Sequence, residues 1–103
     1  MILDTNILKT KLEDLLKRRI SLPSFKEWSL EVITTDDWII SESAEGLLKE
    51  IIFTFDDDSI KWDEQLAQAI AKVALECLNN ADVEAGRNLF SKEASRLILE
   101  ERR

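Results

Sequence analysis

An all-α bundle is the fold class this sequence predicts, and three observations predict it. Apolar residues recur at helical spacing through most of the chain. Two glycines and one proline in 103 residues leave little material for hairpins and tight turns. Hydrophobic residues at 45% and charged residues at 34% suit a folded globular chain rather than a disordered one. A chain of this length forms one domain, residues 1–103, and buries about 65% of the surface that its unfolded form exposes. The expectation is a single-domain antiparallel bundle of four to five amphipathic helices.

The first helix is predicted from Thr5 to Arg19. Asp4 or Thr5 can accept a hydrogen bond from the first free backbone N–H groups. Leu8, Leu12, Leu15 and Leu16 make one stripe, and Lys17, Arg18 and Arg19 would oppose the negative end of the helix dipole. "SLPSFKEW" opens the second helix, with Ser21 as cap and Pro23 in the first turn, where its missing N–H costs nothing. Phe25, Trp28 and Val32 mark its inner face, and a break is expected near Thr34 to Asp37.

Leu47, Leu48, Ile51, Ile52 and Phe55 define a third helix. "IIFTF" alone also reads as a strand, but the helical spacing extends back to Leu47 and decides for helix. The fourth helix, about Asp63 to Asn79, places Leu66, Ile70, Val73 and Cys77 on one face. Ala69, Ala74 and Leu78 broaden that face, and the alanines permit close approach of a neighbour. The fifth starts near Asp82, with Leu89, Phe90, Ala94, Leu97 and Ile98 predicted to face inward.

Chemistry is scarce. Histidine and tyrosine are absent, which removes the commonest general base, the usual zinc ligand and the standard triads. Gly46 and Gly86 are too few for a phosphate-cradling loop. The lone Cys77 lies on an apolar stripe and reads as a reduced core residue. Glu42 and Glu45 share a helix face like the paired ligands of all-α nucleotide pyrophosphohydrolases. The second acidic pair those enzymes need is missing, because Asn79 follows Glu76 and Ala85 follows Asp82 at that spacing. No catalytic residue, metal or cofactor is expected. No leader sequence or bilayer-length apolar run is visible, so a cytoplasmic protein with no membrane association is expected.

The charge distribution is more informative. The net charge is −7, which disfavours nucleic acid and anionic lipid as partners. Residues 36–64 hold ten acids and two bases, whereas the rest of the chain holds eleven acids and twelve bases. Within this third, "FTFDDDSIKWDE" sets Asp56, Asp57, Asp58, Asp63 and Glu64 around Trp62, while Trp38 follows Asp36 and Asp37. A solvated connector would explain any one charge run, and either tryptophan could be core. Concentrated like charge beside aromatic residues nevertheless suits a surface that meets a basic protein, with tryptophan as anchor.

Two stretches, "KLEDLLKRRISLPSFKEW" (11–28) and "LLKEIIFTFDDDSI" (47–60), resemble the colicin D-type immunity proteins. Those are small acidic helical bundles that neutralise a tRNA-cleaving toxin. Ile20, Ser21 and Phe25 match the family's turn into its second helix, and Phe53, Phe55 and Asp56 to Asp58 match its aromatic and acidic segment. The resemblance covers roughly residues 8–78. It implies an inhibitor, monomeric and not an enzyme, that covers a basic nuclease active site with Asp56, Asp57 and Asp58. Asp36, Asp37, Trp38, Glu42, Glu45, Trp62, Asp63 and Glu64 join the candidate set on charge and aromatic placement alone. The alternatives are an acidic adaptor module, including a homodimer, and a small carboxylate–metal hydrolase.

Overall fold

The computed structural model of the chain describes residues 2–35, 38–41 and 44–101. Five helices account for about three-quarters of it: α1 (Thr5–Leu16), α2 (Leu22–Thr34), α3 (Glu45–Asp56), α4 (Glu64–Leu78) and α5 (Val83–Glu101). Two short strands, β1 (Ile2–Leu3) and β2 (Ile39–Ile40), pair in parallel, with Ile2 opposite Ile39 and Leu3 opposite Ile40. The bundle is all-α, as its spacing predicts.

Local chemistry explains the helix starts. The Asp4 carboxylate accepts from the Ile7 backbone N–H at 2.9 Å, the Ser21 hydroxyl from Ser24 at 3.2 Å, and Asp63 from Leu66 at 2.7 Å. Asp82 does the same for Ala85 at 3.2 Å. Each side chain satisfies a donor that the first helical turn leaves without a partner. Pro23 sits in the first turn of α2 as expected, and residues 51–55 are helical rather than extended.

The predicted end of α1 needs correction. The helix stops at Leu16 rather than Arg19, because Arg18 adopts a left-handed backbone with φ of 58°. The Arg18 N–H then reaches back to the Leu15 carbonyl, and the Arg19 N–H to that of Asp14 at 2.8 Å. This is a Schellman-type termination with arginine where glycine is usual, and it costs about 1 kcal/mol of backbone strain. Lys17 to Arg19 therefore lie past the helix, on an exposed reversal.

The helices pack as a closed ring: α1 against α4, α4 against α5, α5 against α3, α3 against α2, and α2 against α1. A ring of five cannot alternate direction all the way round. The parallel pair is α3 and α5, since Gly46 lies beside Arg87 at their starts while Ile98 lies near Ile60 beyond the end of α3. A single core fills the ring, with Leu8, Leu12, Phe25, Leu48, Ile51, Phe55, Ile70, Cys77 and Phe90 fully buried. At Gly86 a Cβ would lie 2.8 Å from the Cys77 carbonyl oxygen, so only glycine lets α5 approach α4 this closely.

Three inward assignments shift. Leu89 is exposed. It lies 100° around the helix from Phe90, which is buried as predicted. On α4 the closest-packed alanines are Ala67, Ala71 and Ala74, whereas Ala69 and Val73 are only half-buried. The α4 stripe therefore turns toward α1 as well as α5. Ser29 is wholly buried on α2, and its hydroxyl has no partner among the described residues.

Candidate functional site

The ring order divides the acidic candidates between its two ends. Asp56, Asp57, Asp58, Trp62, Asp63 and Glu64 lie where α3 finishes and α4 begins. Glu45 lies at the opposite end of α3, about 17 Å away along the helix axis. Trp38 lies just before β2, outside the α3–α4 turn. Asp36, Asp37 and Glu42 fall outside the described residues. The structure thus brings six of the candidates together at one end of the bundle, not all eleven on one surface.

An aromatic column carries the turn that displays these six. Phe25 on α2 packs against Phe55 on α3 with ring centroids 4.7 Å apart. Trp62 in turn stacks on Phe55 at 5.1 Å and 11°. The indole N–H of Trp62 donates to the Asp57 carbonyl at 3.1 Å, which closes the turn over the ring. Trp62 is therefore half core and half surface. Trp38 is similarly committed, lying edge-on to Trp28 at 6.1 Å.

Several of the acids also have local tasks. The Asp57 carboxylate accepts from the Ser59 N–H at 2.9 Å and from the Ser59 hydroxyl at 2.6 Å, a turn-forming motif. Asp63 caps α4. Asp58 pairs with Lys26 at 3.2 Å, Glu64 with Arg18 at 2.7 Å, and Glu45 with Lys49 one turn along α3. Lys26 also lies 5.9 Å from the Trp62 ring centroid. Bases from α2 and from the α1–α2 reversal therefore reach into the acidic turn. Asp58 and Glu64 remain 93% and 67% exposed at the side chain, so these pairs are screened and each contributes at most about 1 kcal/mol.

Beside the turn lies a half-open cleft of about 470 Å³, lined by residues 59–63, Leu66 and Ile98. The buried Ile60 and Leu66 form its apolar floor, the half-buried Trp62 and Ile98 its walls, and Ser59, Lys61 and Asp63 its polar lining. Neither the floor nor the bases Arg18 and Lys26 are in the sequence-derived set. Ile98 and Leu66 appear in the sequence only as core positions, and Arg18 and Lys26 lie more than thirty residues from their acidic partners.

Cys77 is buried, and burial pushes its thiol pKa up, with Glu76 and Glu93 adding to the shift. Such a thiol is a poor nucleophile. Among the described residues no group of three cysteine, aspartate or glutamate side chains is placed to hold a metal ion, and no helix is long and apolar enough to cross a membrane. No family model, no curated protein and no solved structure matches this chain. The functional reading therefore rests on the chain's own geometry.

Proposed function

We propose that this protein is a non-catalytic inhibitor that docks a basic protein, of the nuclease-toxin kind, through the α3–α4 end of the bundle. It would act as an immunity protein, by steric and electrostatic occlusion of the partner's phosphate-binding surface. The observation that supports this is the 56–64 turn: five acids that outnumber the three bases beside them, Lys61, Lys26 and Arg18, on a backbone tied by Trp62 to a packed aromatic column. Charges fixed on an ordered platform speed encounter with an oppositely charged partner and bind with less ordering cost than charges on a loose loop.

The test is to search the neighbouring genes for a basic nuclease-like domain and to co-express any such domain with this protein. Cells carrying both should survive, and the purified pair should associate at a rate that falls steeply with salt. A triple variant, Asp56→Asn, Asp58→Asn and Glu64→Gln, spares the turn-forming Asp57 and the capping Asp63. Roughly a tenfold slower association at unchanged helicity is expected. Unaltered kinetics in that variant would place the interface elsewhere.

A further inference from the structure

The cleft beside the acidic turn suggests what the partner brings. Resting on the inhibitor reading above, we infer that a basic segment of the partner seats one bulky apolar side chain between Trp62, Leu66 and Ile98. Three features carry this.

The cleft, at about 470 Å³, is in the size range of side-chain and small-ligand pockets, and its floor is aliphatic. Leu66 and Ile60 are buried beneath it, while Trp62 and Ile98 are half-buried at its walls. An apolar wall beside charge is the usual makeup of an interface hot spot, where an anchor is buried and polar groups ring it.

The surroundings select the anchor's neighbours by charge. Of the charged groups Asp63 and Lys61 line the cleft itself, and Asp57, Asp58 and Glu64 add negative charge on the same or the adjoining turn. Among the described residues Glu64 and Asp58 make exposed pairs to Arg18 and Lys26. Arginines or lysines flanking an incoming anchor can replace those intramolecular partners at little cost, because exposed pairs are weak. A second copy of this chain would bring like charge to the same place.

Two short synthetic peptides test this, both rich in lysine and arginine, one with a central phenylalanine and the other with serine there. With the unmodified protein, the phenylalanine peptide should bind about tenfold more tightly, the return expected from burying most of an aromatic side chain. It should also shift the Trp62 indole N–H resonance, whereas the serine peptide should not. Ile98→Trp, which fills the cleft, should reduce the phenylalanine advantage to about twofold or less.

Equal, salt-dependent binding of both peptides would overturn the anchor while leaving the acidic surface standing. If neither peptide binds, the anchor and the acidic docking surface both fall. The two-peptide comparison uses the unmodified protein, so a misfolded Ile98→Trp would not rescue the idea.

Discussion

The aromatic column and the acidic turn lie within one helical turn of each other, yet different physics holds them. Phe25 and Phe55 are wholly buried and touch ring to ring, so burial and packing hold the column, with little dependence on charge or salt. The turn above it is exposed at Asp57, Asp58, Asp63 and Glu64, and short hydrogen bonds and two screened ion pairs hold it. Trp62 joins the two regions, its ring on Phe55 and its N–H on the turn backbone. A packed base under an exposed charged surface lets the surface residues change without loss of the fold.

That contrast predicts a graded set of effects. Phe55→Ala should cost the most, about 4 kcal/mol in chemical denaturation, because it opens a cavity under both Phe25 and Trp62. A loss below about 1 kcal/mol would mean that the column is not the platform described. Asp63→Ala should cost about 1 kcal/mol through the lost α4 cap, with helicity largely kept by circular dichroism. Asp58→Asn should change stability by less than about 0.5 kcal/mol, since the Lys26 pair is exposed. If Asp58→Asn instead rivalled Asp63→Ala, the turn would be a structural element rather than a free recognition surface.

The helices were legible in the sequence because their causes are local. Asp4, Ser21 and Asp63 each cap a backbone N–H three residues ahead, and the leucine and isoleucine stripes repeat within a few turns. The misreadings involve choices that local spacing does not settle. Leu89 and Phe90 are adjacent and both apolar, and only the position of the neighbouring helices selects Phe90 as the buried one. Arg18 carries no mark of a left-handed conformation, because the residue type favours neither that turn nor a helix end strongly. The β1–β2 pair joins residues nearly forty apart through two-residue strands, too short to leave a periodic trace.

The candidate site was only partly legible. The acids of 56–64 stood out by composition, but charge counts along a chain do not say which end of a helix each residue occupies. A tryptophan beside acids has the same sequence signature whether it is core or anchor, and Trp62 is both.

By itself the sequence determined the helical class, most helix starts and the excess of negative charge in the middle third, since each follows from contacts within a few residues. Tertiary structure alone decided the five-membered ring, the parallel α3–α5 pair, the division of the acids between two ends, and the meeting of Arg18 and Lys26 with Glu64 and Asp58. Those features depend on how distant stripes share one core, and many arrangements satisfy the same local pattern until packing selects one.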